Sequence, residues 1–212
     1  MYNIPIFSYF DHTVISFLDR LSTLFASFPI NLAFGTDQKS ILELIVRNTW
    51  PMLGKNIHGI ESYASFCKCL RQIAPSILND CPPLRFVSFY YGDFFPEFPA
   101  EDSAMASDRQ AVTKWLFTPR PDNVPKVFKF DFVRNEWEDW PLKIDAFKAA
   151  FANASSSVNF IVSIWFLLSL LSFADSVVLF DLTNELTREQ LALKRINNSH
   201  RFLFIRCPIA RD

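Results

Sequence analysis

The chain has 212 residues, half of them hydrophobic and 24 of them phenylalanine, with a formal net charge of -1 at pH 7. That length suits one large domain or two small ones, with apolar material enough for a sizeable core. A charge so near neutral excludes a global electrostatic pull toward nucleic acid or an acidic membrane, and 4 glycines against 13 prolines argue against a phosphate-cradling nucleotide fold.

In chain order, MYNIPIFSYFDHT lacks the basic and apolar regions of a signal peptide. From His12 to Phe28 the apolar residues Val14, Phe17, Leu18, Leu21, Leu24 and Phe25 recur at helical spacing, and Pro29 ends the helix. INLAF reads as a strand. Ser40 and Glu43 then stand at capping-box spacing ahead of a helix expected to stop near Pro51. NIHGIES is a weak strand. A helical stretch over 64–78 holds Phe66, Leu70, Ile73, Ile77 and Leu78 on one side, with Pro75 expected to break it. LRFVSFYY (84–91) is rich in strand formers.

Further along, Ser107 and Gln110 form a second capping box for a helix carrying Ala111, Val112, Trp115 and Leu116. KVFKFDF (126–132) alternates Phe128, Phe130 and Phe132 with Lys129 and Asp131, the pattern of a half-buried strand. Pro141 suits a helix's first turn, and Ile144, Phe147, Ala150 and Phe151 mark its buried side. VNFIVSIWF (158–166) has no polar alternation and reads as a strand covered on both faces. The apolar run 160–174 is shorter than the ~20 residues of a membrane span and has no flanking basic cluster, so no membrane association is expected. After Asp175, VVLFDLT, EQLALKR and RFLFIRC are strand-like, with 197–200 as a tight turn.

Strands separated by single helices imply right-handed βαβ connections and a parallel sheet. Helix and strand recur at intervals of roughly 25 to 40 residues, the rhythm of leucine-rich solenoids. The expected fold class is therefore α/β: an irregular leucine-rich-repeat-like solenoid over 1–166, ending in an antiparallel β meander over 167–212, packed as one continuous unit. A doubly wound sheet competes with it.

No nucleophile-elbow, zincin, phosphate-loop or paired C-x-x-C motif is present. Cys67, Cys69, Cys81 and Cys207 read as free thiols, and His12, His58 and His200 are scattered, so neither a metal site nor a catalytic triad emerges. The acidic set Glu97, Glu101, Asp102 and Asp108 precedes a helix, where acids favour the N-terminus. Lys194, Arg195, Arg201, Arg206 and Arg211 read as the solvated face of the meander rather than a nucleic-acid surface. Trp115, Trp137, Trp140 and Trp165 read as core residues by default, with interface anchoring as the alternative.

Several stretches carry a resemblance: FFPEFPAEDSAMASDRQAVTKWLFTPRPDNVPKVFK, NTWPMLGKNIHGIE, SILNDCPPLRFV, IDAFKAAFANASSSVNFIVSIWF and SFADSVVLFDLTNELTREQLALKRINNSHRFLFIRCPIARD. They resemble segments of the large F-box protein families of plant-parasitic, cyst-type nematodes, and the resemblance covers nearly the whole chain. It implies an F-box-associated region that selects substrates for a cullin–RING ubiquitin ligase, with no catalytic residue of its own. In that family an F-box precedes this region and docks on a Skp-type adaptor. The chain departs from the pattern in holding no F-box, in a longer and more apolar WFLLSLLSFADS stretch, and in ending where the family continues with a Trp-rich tail.

The expectation is thus a protein-interaction module without cofactor or metal, cytoplasmic or nuclear, binding an unidentified protein substrate. A Skp-type adaptor is a partner only if an F-box lies upstream. Ser88, Tyr90, Lys129 and Asp131, exposed by alternation with apolar neighbours, are the expected contacts. A hydrolase with an unrecognised nucleophile, or a non-functional truncated paralogue, stay open as alternatives.

Overall fold

Short runs rich in Val, Ile, Phe and Tyr build the strands, because side chains of these types pack well on a pleated, half-buried surface. The computed structural model describes residues 2–6, 13–14, 16–17, 20, 28–35, 38–92, 94–132, 139–166, 171–196 and 200–209. The helix expected over 12–28 lies largely outside them.

Among the described residues the strands are β1 (Tyr2–Ile6), β2 (Ile30–Phe34), β3 (Ile57–Tyr63), β4 (Phe86–Tyr90), β5 (Lys126–Phe132), β6 (Phe160–Phe166), β7 (Phe180–Asn184), β8 (Glu189–Arg195) and β9 (Arg201–Pro208). They form one sheet in the order β1-β2-β3-β4-β5-β6-β9-β8-β7. Pairing is parallel from β1 to β6 and antiparallel from β6 through β9 and β8 to β7. The helices are α1 (Lys39–Leu53), α2 (Ser65–Ile73), α3 (Asp108–Phe117), α4 (Trp140–Ala152) and the short α5 (Leu171–Ser176).

This overturns the expected solenoid. Solenoid repeats touch only their neighbours, whereas here one mixed sheet shares one core. Phe204, on the last strand, packs against Phe95 at 5.8 Å and Phe147 at 5.0 Å between ring centroids. The helices do not repeat either: α1 has 15 residues and α2 has 9. Between β4 and α3 an irregular loop, rather than a repeat unit, sends Phe94 and Phe95 into the core.

Alternation decides which face is covered. Ile30, Leu32 and Phe34 on β2, Val87 and Phe89 on β4, Phe128 and Phe130 on β5, and Phe160, Val162, Ile164 and Phe166 on β6 are all buried. Helical residues lie over them: Phe66 of α2 against Phe34 at 4.3 Å, Trp140 of α4 against Phe166 at 5.5 Å, and Phe147 against Phe160 at 5.9 Å. Trp140, Ile144, Phe147 and Phe151 are the buried residues of α4, spaced three and four apart. The described helices therefore cover one face of the sheet.

The Ser107–Gln110 capping box is present, with Gln110 N donating to Ser107 Oγ at 3.1 Å and Ser107 N to Gln110 Oε1 at 2.8 Å. The Ser40–Glu43 box is not. Helix α1 begins two residues earlier, with Gln38 at the N-cap position making no side-chain cap hydrogen bond, and Glu43 pairs with Lys39 at 3.4 Å instead. Helix α1 stops near Pro51 as expected, carrying it in the last turn and ending at the buried Leu53. Strand β6 is not covered on both faces, since Trp165 is 49% exposed. Its lack of alternation reflects apolar residues on its open side.

Three buried charges stitch the layers. Glu189 and Arg206 are fully buried and pair at 2.6 Å, so Arg206 does not join a solvated basic face. Lys126, 4% exposed, donates to the Trp115 carbonyl and, at 2.6 Å, to the Thr118 carbonyl at the C-terminus of α3. Burial, with the Arg120 charge adding to it, pushes its pKa down to about 7. An ammonium whose folded-state pKa lies below its unfolded one leaves the unfolded chain holding more protons between the two values. Stability is therefore expected to rise from pH 7 toward pH 10.5 and to be lowest below pH 7. Denaturant midpoints of the wild type and of Lys126→Met across that range check this. The variant loses the slope; an unchanged slope assigns it to another group.

Candidate interaction surface

The face of the sheet opposite the helices carries a grid set by strand register. Tyr63 of β3 stands beside Tyr90 of β4, Asp131 of β5 beside Trp165 of β6, and Trp165 beside Arg201 of β9. These residues lie near the carboxyl ends of the parallel strands. One level below run Glu61, Ser88, Lys129, Ser163, Leu203 and Lys194. Below that run Gly59, Phe86, Val127, Ile161, Ile205 and Ala192.

All four sequence-derived contact residues fall on this face, in neighbouring strands. Lys129 is exposed and Tyr90 and Asp131 are half-buried. Ser88 is corrected: it is 5% exposed, enclosed by larger neighbours, and is no surface contact. It is a small side chain between the longer Glu61 and Lys129, so it lies on this face without being exposed.

Sequence reasoning missed the aromatic part of the surface. Tyr91, 68% exposed, stacks on Tyr63 with centroids 5.9 Å apart and planes 16° apart. Tyr63 meets Tyr90 edge-on at 6.4 Å, and the Tyr90 hydroxyl donates to Glu61 Oε1. Tyr91 holds this position with a φ of 53°, a left-handed backbone that costs an L-residue about 1–2 kcal/mol. The next residue, Gly92, lies so close to Ala64 that an added Cβ would sit 2.5 Å from the Ala64 Cβ, which ties the turn to the start of α2. Trp165 was assigned to the core by default; half of it is in solvent, with the Arg201 guanidinium 4.9 Å from its ring centroid. The available signal was its position in β6, two residues beyond Ser163 on the same face.

Electrostatics vary across the face. Burial raises the Asp131 carboxyl above its usual range, opposed by a hydrogen bond from the Tyr91 backbone amide. The Lys129 ammonium lies 5.1 Å from the Phe86 ring centroid, toward the amino end of β4 and away from Tyr90. At that end a cleft of about 420 Å³ is lined by Asn31, Arg85, Phe86, Val124, Pro125 and Val127. Gly59 packs closely beside it: an added Cβ would lie 2.5 Å from Asn31 Oδ1, so a larger residue would have to displace that side chain. His58 of β3 is depressed by burial and by the nearby Arg85 and Arg120.

The other candidate groups are structural. Glu97 accepts from Ser107 Oγ at 2.8 Å and pairs with Arg109 at 3.1 Å; Asp108 pairs with Arg71 at 2.8 Å; Asp102 accepts from Asn79 at 2.7 Å. These acids knot the 97–108 loop onto the N-terminus of α3. Trp115 and Trp140 are buried, and Trp137 and Arg211 lie outside the described residues. Cys67, Cys69, Cys81 and Cys207 are free, and burial pushes Cys81 up to about 11. Among the described residues no group of His, Cys, Asp and Glu is placed to hold a metal ion, and no helix is long and apolar enough to cross a membrane.

No protein-family model, no curated protein and no solved structure matches this chain.

Proposed function

We propose that the chain is a protein-interaction module that binds a polypeptide through the helix-free face of its sheet. The observation that carries this reading is the exposure of Tyr91 and Trp165 at 68% and 49% beside Tyr63, Tyr90 and Arg201. Tyr, Trp and Arg are the residue types that dominate the energetics of protein interfaces, because they combine large apolar area with polar anchoring. The resemblance to nematode F-box-associated regions points the same way: a substrate-selecting surface in a cytoplasmic or nuclear ubiquitin-ligase adaptor, binding rather than transforming its target. Recruitment of a Skp-type adaptor belongs to an F-box upstream, and sequencing the transcript beyond Met1 tests for one.

The test of the face uses partners captured on the intact chain and then titrated singly. Trp165→Ala and the Lys129→Ala/Asp131→Ala double variant are expected to weaken binding by roughly tenfold or more, about 1.4 kcal/mol. Leu142→Ala, at a 71% exposed position on α4, is expected to leave it unchanged. Binding lost with Leu142→Ala and kept in both open-face variants would move the interface to the helical side and end this reading.

A further inference from the structure

The open face pairs its aromatic rings with cations of its own chain, with one exception. Phe86 holds Lys129 at 5.1 Å and Trp165 holds Arg201 at 4.9 Å. The Tyr63–Tyr91 stack holds no cation among the described residues, although it is the most exposed ring surface of the three. Two carboxylates border it. Glu61 lies on β3 two residues before Tyr63 and accepts from the Tyr90 hydroxyl; Asp131 accepts from the Tyr91 backbone amide. Neither is ion-paired among the described residues. The nearest lysine of the grid, Lys129, is turned toward Phe86.

We infer that the Tyr63–Tyr90–Tyr91 cluster, with Glu61 and Asp131, is the seat for an arginine side chain of the protein partner. The inference rests on the reading of the open face given above and names the chemistry of its occupant. A cation is attracted by the negative face of an aromatic ring within about 6 Å. The outer face of Tyr91 is free to receive one, since its inner face is taken by Tyr63. Arginine fits better than lysine because its planar guanidinium stacks on a ring while its N–H fork bonds a carboxylate at the edge. Asp131, which takes the Tyr91 backbone amide, is the carboxylate at the base of the Tyr91 turn that this fork would bond. An acidic segment is repelled by the same two carboxylates. An apolar one would leave Asp131 half-buried without a counter-charge, an arrangement that desolvation penalises. The left-handed backbone of Tyr91 fits this role, since strained residues persist where the ring must be held in one place.

The experiment titrates the intact chain with a short glycine-spaced arginine peptide and with the same peptide carrying citrulline, the neutral isostere, in place of arginine. Asp131→Asn, Tyr91→Ala and Trp165→Ala are titrated alongside, each first checked for an unchanged melting temperature. The arginine peptide is expected to bind roughly tenfold tighter than the citrulline peptide. Asp131→Asn and Tyr91→Ala are each expected to abolish most of that preference, while Trp165→Ala keeps it. Equal binding of the two peptides, a preference that survives both cluster variants, or no binding at millimolar concentration overturns the arginine seat. The wider reading is separable: a captured partner that is lost with Trp165→Ala but indifferent to Asp131→Asn leaves the open face as the interface and removes only the seat.

Discussion

Arg206→Met is expected to destabilise the protein by about 3–5 kcal/mol, the range for removing one member of a buried ion pair. Arg206 and Glu189 are both at 0% exposure. Arg206 Nη2 and Nε donate to Glu189 Oε2 at 2.6 and 3.1 Å, and Nη2 also donates to the Ser156 carbonyl at 2.9 Å. Glu189 Oε1 accepts from the Val158 amide at 2.6 Å and from Ser157 Oγ at 3.0 Å. The guanidinium lies between rings, 5.2 Å from Phe151 and 5.5 Å from Phe117. Deleting the cation leaves a carboxylate with no counter-charge in an apolar layer. The Glu189→Met/Arg206→Met double variant is expected to recover part of the loss, because the attraction of a buried pair is offset by its desolvation. Urea denaturation measures both. A single variant costing under about 1 kcal/mol would show that water or rearrangement reaches the site.

Phe147→Ala is expected to cost a similar amount, about 3–5 kcal/mol, through the lost ring and the cavity left behind. Phe147 is fully buried and meets Phe95, Phe98, Phe117, Phe160 and Phe204 at centroid distances of 6.1, 5.9, 5.7, 5.9 and 5.0 Å. It thereby joins α4 to α3, to the 94–107 loop and to the parallel and antiparallel parts of the sheet. Since all depend on one ring, the destabilised variant is expected to keep a single unfolding transition, measured by circular dichroism and tryptophan fluorescence together. Two separated transitions would contradict the shared core. Leu142→Ala on the outer side of the same helix serves as the reference, with a change within about 0.5 kcal/mol.

Individual elements were legible where the local pattern had one physical meaning. KVFKFDF alternates strictly and is β5; Ser107 and Gln110 reach each other's backbones only as a helix start, and α3 begins there. The pattern failed where two causes give one signature. Ser40 and Glu43 have capping-box spacing, yet Lys39 is already helical and takes Glu43 for itself. VNFIVSIWF lacks polar alternation whether its second face is covered by helices or lies open with Trp165 on it. Architecture was the least legible level. A recurring helix and strand describe both a repeat array and a single mixed sheet, and the difference lies in contacts as distant in sequence as Phe95 with Phe204. Of the surface, Lys129 and Asp131 were visible through alternation. Tyr91 was not, because its placement depends on a turn conformation that the neighbouring residues do not announce.

The strand order also sets a timetable. β9, the last of the described strands in chain order, is not at the margin of the sheet but inserted between β6 and β8. Until residues 201–208 leave the ribosome, β6 presents bare amides and carbonyls along one side, and Phe166 and Phe147 lack the Phe202 and Phe204 rings that pack against them. Contacts between distant parts of a chain form late, so the nascent protein passes through a stage in which its most apolar strand is an unguarded template for other strands. Closure of the sheet therefore waits on β9, with the Arg206 guanidinium arriving on Glu189 as the latch.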